Sequence, residues 1–504
     1  MSQRYLTQLL LLVAIAVLPA TAGAQVQTFD VIWSTPINLS NTPESSSRPA
    51  IVADQYGYVH VLWSEDVGGE DTPNDQIANP GNALVYTRWD GTKWTPPIDV
   101  LSVYDDSLAM YPAADVGPDG RIHVVWTGLS KIYYASAPVS QAHLASAWSA
   151  PLTVSYDGAR SQFEVDVRAG PDGIVNIIYA TRSEDIGVHF IQSLDGGFTW
   201  SEPVTISTPL DNLEKGFSSL RIVYDSVGRL HATWQSFQDQ GYGQAVYYAR
   251  SLDKGRTWED PIQFRYRGPD DVFVEWPYLT ASGDGDLQLV YVDGISSGRA
   301  YRTSKDGGET WSEASQILQE MEGVNGYVIP VIDGSGATHL IANMRTKGVF
   351  AVGVYYARKE TDRWSLAVPI DNTSPAAPTA HYTAAAVRLG NEIHVVYNQL
   401  RGGEIWYVRG DIIGVPPTQA ESLPESAEMV TVRPTPSPLA AGQSLPDAIG
   451  LSESETQPSS LARPPLTDTE ASSGNSAFLA LVLSTLLALI LVTGVAVWTL
   501  LHRR

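Results

Sequence analysis

The chain has 504 residues, no cysteine and a formal net charge of −23. It therefore carries no disulfide, thiolate metal ligand or thiol nucleophile, and a domain of this size must be held by its hydrophobic core alone. The acidity argues against a nucleic-acid partner, because a phosphate backbone is bound through clustered cations.

The first residues have the layout of a secretory signal. Arg4 supplies a positive start, residues 9–18 an apolar core, and Ala22-Gly23-Ala24 a small-x-small cleavage site. Residues 1–24 are expected to be removed before Gln25. The apolar core is too short to span a bilayer.

Next comes a unit of roughly 50–60 residues that repeats at the spacing of propeller blades. Its second strand recurs seven times, as GYVHVLW, GRIHVVW, GIVNIIY, GRLHATW, GDLQLVY, GATHLIA and NEIHVVY. Each copy follows another short strand, in most with a turn such as GPDG or DSVG between. An aromatic third strand follows (VHFIQS, AVYYARS, RAYRTS), and a closing run opens on tryptophan: KWTPPIDVLS, AWSAPLTVS, WSEPVTIS, WEDPIQF, WSEASQIL and RWSLAVPID. Period-two alternation between Gly, Asp and Asn turns, in units of this length, predicts an all-β chain of radially arranged four-stranded sheets, a β-propeller. Seven sets of the first three strands have only six closing strands between them. The seventh lies at the start, in VIWSTPINLS (31–40), with Trp33 in the key place. This N-terminal strand is expected to complete the last blade (YTAAAV, EIHVVYN, EIWYVRG), giving seven blades and no open edge.

His60, His123, His231, His339 and His394 occupy one repeated position on the second strand, with Asn176 and Gln288 in two other copies. Each lies in a different blade, so a repeated inter-strand hydrogen bond is expected rather than a metal site. Neither metal nor cofactor is implied.

Between the third and closing strands, three turns are nearly identical: SLDGGFTW (193–200), SLDKGRTW (251–258) and SKDGGETW (304–311). Asp195, Asp253 and Asp306 are placed to accept hydrogen bonds from N–H groups of their own turns. Gly197, Gly255 and Gly308 permit a positive φ. The hydroxyls of Ser193, Ser251, Ser304, Thr199, Thr257 and Thr310 fasten the two sides. Trp200, Trp258 and Trp311 are expected to pack between blades.

The composition changes after the last strand. Residues 413–476 are rich in Pro, Ser, Thr, Ala and Glu, and are expected to form a disordered stalk below a propeller of residues 25–412. Residues 477–501 contain no charged side chain. At about 1.5 Å per residue such a helix crosses a hydrocarbon core of ~30 Å. Arg503 and Arg504 then mark residues 502–504 as an expected cytoplasmic tail, and a single-pass type I membrane protein with its propeller outside is expected.

The pattern S-x-D-x-G-x-T-W resembles the Asp-box, or BNR repeat, of the sialidase superfamily. The resemblance covers the whole propeller, although three of its seven blades carry the full motif. It implies that the boxes are structural and lie on the face away from the active site. It also implies a site of three arginines clasping a carboxylate, a Tyr-Glu nucleophile pair and an Asp acid/base, in a six-bladed ring. The first arginine of that family usually lies in a Y/F-R-I-P segment. Here SSRPAIVAD puts Pro49 directly after Arg48, so the Arg-x-Pro spacing is lost, and a seventh blade widens the channel.

Candidate catalytic residues on the expected functional face are Arg48, Arg267 and Glu275. Candidate binding residues are Arg160, Arg182, Arg345 and Arg401. Arg265, Glu65, Asp66, Asp105, Asp106 and Glu164 share the same loops, and this even mixture of signs is also the composition of ordinary solvated loops. The acidic insertion at 64–82 is expected to project over the channel mouth. Two functions follow: a surface recognition domain for a glycan or an extracellular protein, or an exo-α-sialidase-like glycoside hydrolase. The missing Arg-x-Pro spacing and the extra blade favour the first.

Overall fold

The segment Val59–Asp66 (VHVLWSED) shows why the second strands form. Valine and tryptophan suit extended backbone, and seven of its eight residues are buried because both faces of the strand meet a neighbouring blade. A strand covered on both sides reads as an apolar run with isolated polar residues, and each of those must find a partner inside.

The computed structural model describes residues 31–424 except 43–44, 67–81, 102–107, 129–130, 156–164, 183–184, 239–240, 267–272, 284, 295–297, 324–325, 349–351, 371–379 and 400–402. The expected signal, the segment 477–501 and residues 502–504 lie outside them, as do most of the acidic insertion and the greater part of the expected stalk. No helix among the described residues is long and apolar enough to cross a membrane.

The described strands form seven antiparallel sheets. Their inner strands are Ser45–Ala53, Met110–Val116, Asp166–Ala169, Gly216–Tyr224, Val274–Ala281, Val328–Ile332 and Ala380–Arg388, which open blades 1 to 7 in turn. The last blade is completed by the N-terminus: Val31–Trp33 and Ile37–Asn38 pair with Ile405–Ile412, Val31 opposite Ile412 and Ile37 opposite Tyr407. Gly410 is required at this seam, because a Cβ there would stand 2.8 Å from the ring of Trp33. The seven-bladed ring and its N-terminal closure match the expectation.

Blade-to-blade packing repeats without a break. The tryptophan that opens each closing strand meets an aromatic ring on the third strand of the preceding blade, edge to face. The seven pairs are Trp94–Tyr407, Trp148–Tyr86, Trp200–Tyr134, Trp258–Phe190, Trp311–Tyr248, Trp364–Tyr301 and Trp33–Tyr356, with centroids 4.8 to 5.5 Å apart. Such contacts contribute about 0.5–1.5 kcal/mol each beyond their buried area.

The repeated histidine holds the tyrosine of this pair. His60 Nδ1 lies 2.7 Å from the Tyr86 hydroxyl and its Nε2 lies 3.1 Å from Asp54. An ionised carboxylate only accepts, so Nε2 carries the proton and Nδ1 of the neutral ring accepts from the tyrosine. His123, His231, His339 and His394 stand in the same way between Tyr134, Tyr248, Tyr356 or Tyr407 and a carboxylate. Blade 3 has Phe190 where the tyrosine belongs, and there the histidine is replaced by Asn176. Each of the five histidines is hydrogen-bonded to its tyrosine and faces a carboxylate at 3.1 to 3.6 Å, and no cluster suited to a metal occurs among the described residues.

The three boxes close on themselves. In the first, Asp195 accepts from the Thr199 N–H (2.8 Å) and hydroxyl (2.7 Å), while the Ser193 hydroxyl donates to Asp195 and accepts from the Gly197 N–H. The other two repeat it through Asp253 and Asp306. Hydrogen bonds from Thr310 hold the Asp306 carboxyl down to about 2. Gly308 adopts φ +81°, and a Cβ on it would fall 1.6 Å from the Tyr248 hydroxyl. The glycine thus serves the turn and the contact with the preceding blade together.

The ordered chain does not end at residue 412. Residues 413–424 continue across the lower face, which also carries the boxes. The Thr418 N–H donates to Leu389 O and the Glu421 N–H to Gln55 O, both at 2.8 Å. Val415 is buried, and Leu423 packs against the core shared by blades 1 and 2.

Candidate functional site

The upper end of the channel, where the inner strands begin, breaks the sevenfold pattern. Five inner strands carry a bulge at the same register, and each puts a non-glycine residue at positive φ: Arg48 (52°), Tyr111 (51°), Ser219 (54°), Trp276 (56°) and Tyr382 (44°). Such a conformation costs of order 1–3 kcal/mol per residue, so surrounding structure must hold it in place. The backbone is the same in each blade, and the side chain differs almost every time.

Arg48 occupies the boundary between blades 7, 1 and 2. Its guanidinium lies over the ring of Tyr111 at 4.7 Å and over that of Tyr382 at 5.1 Å. Its one hydrogen-bond contact is to the hydroxyl of neighbouring Ser47 at 3.5 Å, and its Nε is buried without a partner. No carboxylate among the described residues lies within ion-pair distance of it. Two aromatic faces therefore orient a cation whose hydrogen-bonding edges are left for something else.

Below this mouth the channel encloses about 400 Å³, and Arg48, Arg168 and Arg221 all line it. The two deeper arginines face a carboxylate. Arg168 and Arg221 each stand 3.8 Å from Asp166, and Arg221 also lies over Tyr278 at 4.3 Å. Burial opposes the charge on Arg168, but Asp166 and Asp115 more than offset it and raise its pKa. Burial pushes the carboxyl of Asp115 up, against the pull of Arg168. Both aspartates also cap the next blade. Asp115 accepts from the Ala169 N–H and Asp166 from the Ile222 N–H, at 2.9 Å each, satisfying donors on channel-side strand edges. The facing wall is apolar and small, with Ala50, Ala53, Ala384 and Ala386.

The remaining candidates separate. Arg182 lies over the Phe237 ring at 4.6 Å, and burial lowers its pKa. Arg345 pairs with Glu322 at 3.2 Å and Arg265 with Asp293 at 2.6 Å. Glu275 is buried and accepts from the Gly243 N–H at 3.3 Å, turned toward blade 4. Glu65 is buried among Thr42, Ser46 and the Trp63 indole. Arg160, Arg267, Arg401, Asp105, Asp106 and Glu164 lie outside the described residues. A Tyr-Glu pair does exist: the Tyr247 hydroxyl donates to Glu214 at 2.5 Å. It sits on the third strand of blade 4, two strands out from the channel, and burial followed by Glu214 raises the tyrosine pKa.

Arg168 and Arg221 were not among the sequence candidates, which were drawn from loops. Their signal was present in VDVRA and SLRIVY, where a charge interrupts the apolar alternation of an inner strand.

A family model described as a BNR repeat-like domain matches residues 175–412. Comparison with curated proteins by sequence gives no match. Among solved structures, the chain is similar to a protein of unknown function from Dyadobacter fermentans DSM 18053, at 16% identity and TM-score 0.47, covering 76% of this chain and 99% of that one. It is similar to the Hadza microbial sialidase Hz136 at 16% identity and TM-score 0.43, covering 74% and 66%. It is also similar to the leech intramolecular trans-sialidase at 14% identity and TM-score 0.44, covering 76% and 70%.

Proposed function

We propose that this propeller, whose residues 175–412 match a BNR repeat-like domain, is a membrane-anchored recognition domain. Its channel mouth takes an anionic group of a glycan or of an extracellular protein. The observation that carries this reading is Arg48, held between Tyr111 and Tyr382 with no carboxylate opposite it among the described residues. A guanidinium presented in this way forms paired hydrogen bonds with a carboxylate or sulfate. The apolar run 477–501, the two arginines after it and the signal-like start support anchoring with the propeller outside.

One observation favours the hydrolase instead: three arginines line a single cavity. Against it, two of them share the carboxylate of Asp166, and the described Tyr-Glu pair lies outside the channel. The test is a pair of assays on the full chain in detergent, with Arg48→Ala as control. Capture of sialylated, sulfated or uronic-acid glycans on an array should be lost in the variant, at a stability cost of only about 1 kcal/mol. Release of fluorophore from a generic α-sialoside should be negligible between pH 4 and pH 8. Robust turnover abolished by Arg48→Ala would make the protein a tethered sialidase.

A further inference from the structure

Two inner strands connect the channel mouth to the lower face. Ser45–Ala53 of blade 1 carries Arg48 near its upper end and runs down into the turn that holds Gln55 and Gly57. Ala380–Arg388 of blade 7 carries Tyr382 near its upper end and runs down to Leu389. The Arg48–Tyr382 contact thus bridges the upper ends of these two strands. At their lower ends the bridge is made by residues 413–424, through Thr418 to Leu389 O and Glu421 to Gln55 O. Ala420 also lies against Gly57, and the Arg388 Nε–H donates to Gly57 O at 2.7 Å. This is the place where the ring is held without a covalent link. The strand Ile405–Ile412 meets the N-terminal strand through hydrogen bonds and the packing of Val31 and Trp33, and residues 413–424 carry the chain from that strand across to blade 1.

We propose that residues 413–424 are a latch: they close the ring from below and set the spacing of the Arg48–Tyr382 clamp above. Below its bulge each strand continues as an unbroken ladder, residues 50–53 against 59–62 and residues 384–388 against 392–396, rising about 3.3 Å per residue. Packed elements shift between discrete arrangements rather than deforming smoothly. A change in separation at Leu389 and Gln55 is therefore carried to Arg48 and Tyr382. The latch has two hydrogen bonds, one buried apolar side chain, Val415, and one half-buried one, Leu423. It can release locally while the seven sheets stay folded. Whatever binds or pulls the chain beyond residue 424 acts first on this segment, and so on the mouth. The consequence for ligand affinity rests on reading Arg48 as the anion contact. The structural coupling does not.

The experiment uses the full chain in detergent, with Thr418→Pro and Glu421→Pro together, and separately Leu423→Asp. Each proline deletes one N–H donor of the latch. Phenylglyoxal modification of Arg48 is timed by peptide mass spectrometry, with Arg250, paired to Glu259 on blade 4, as reference. Hydrogen exchange at residues 54–58 reports latch release. The expected result is a several-fold faster modification of Arg48, faster exchange at 54–58 and an unchanged rate at Arg250. Faster exchange with no change at Arg48 would confine the effect to the lower face and overturn the coupling. Unchanged exchange would show that the segment is no latch, and an equal rise at Arg250 would mean general loosening; either overturns the proposal. Loss of glycan capture is scored separately, so failure of the anion reading leaves the labelling result standing.

Discussion

The wall between the blades and the mouth of the channel are built from the same repeat and treat it in opposite ways. Between blades, seven tryptophans meet seven rings in one geometry. Five histidines support five tyrosines by the same pair of contacts, and the one substitution of tyrosine by Phe190 is accompanied by a change of histidine to Asn176. At the mouth, five bulges share a backbone, yet they present arginine, tyrosine, serine, tryptophan and tyrosine. Where a position must close a ring, its chemistry is fixed by the neighbour it meets. At the end of the channel the five bulges share only their backbone, and the side chains differ. The symmetric part keeps the ring shut, and the asymmetric part is the one in which the blades differ from each other.

That contrast breaks most visibly at the seam. Deleting residues 31–40 removes the outer strand of blade 7 together with the Trp33–Tyr356 contact. It leaves Ile405–Ile412 as an exposed edge, so the protein should fail to fold as a monomer or aggregate. A deletion variant that melts within a few degrees of the parent would show that the ring does not depend on this strand.

A single methyl group should produce the next largest effect. Gly308→Ala places a Cβ against the Tyr248 hydroxyl and a side chain at φ +81°, at a cost of about 3 kcal/mol. Gly336→Ala has a similar φ (+84°) but nothing within 4 Å of its Cβ. It should cost only the backbone strain of about 1–2 kcal/mol. Denaturant unfolding of both variants separates the two contributions. Equal losses would mean that the approach of the box to the preceding blade is unimportant.

Acid should loosen the wall by smaller increments. Burial lowers the pKa of His231 to about 4 and that of His394 and His189 by amounts in the same direction. A histidine whose folded pKa lies below its unfolded value near ~6.5 takes up its proton more readily when unfolded. Its contribution is therefore complete above that value and declines as pH falls toward the folded pKa. Depressed carboxyls such as Asp306 and Glu392, both near 2, extend the loss below pH ~4. The melting temperature should be flat above pH ~7 and fall steadily from pH ~6.5 to 4, and an unchanged value across that range would refute the assignment of neutral buried histidines.

The sequence made the blades legible because their signals are local. Tryptophan-headed closing strands, the repeated histidine and the box Ser193, Asp195, Gly197, Thr199 and Trp200 each lie within one unit, and counting the units exposed the strand displaced to residue 31. The partners of those residues were less legible. That Gly308 must admit Tyr248, or that His60 holds the ring under Trp148, depends on two blades meeting. The same holds for the candidate site. Arg48 was found because it stands next to Pro49 near the start of the first inner strand, while Arg168 and Arg221 were passed over as strand residues.

Sequence by itself determined the number of blades, the turn chemistry and the ends that should meet, because period, turn residues and missing units are properties of neighbouring positions along the chain. Only the tertiary structure decided which charges share a cavity and which remain unpaired. Asp166 reaches Arg168 within its own strand and Arg221 on the next blade, whereas Arg48 lies between tyrosine rings from blades 2 and 7. Those contacts join residues up to 334 positions apart in the chain, and they exist because ring closure brings the last blade beside the first.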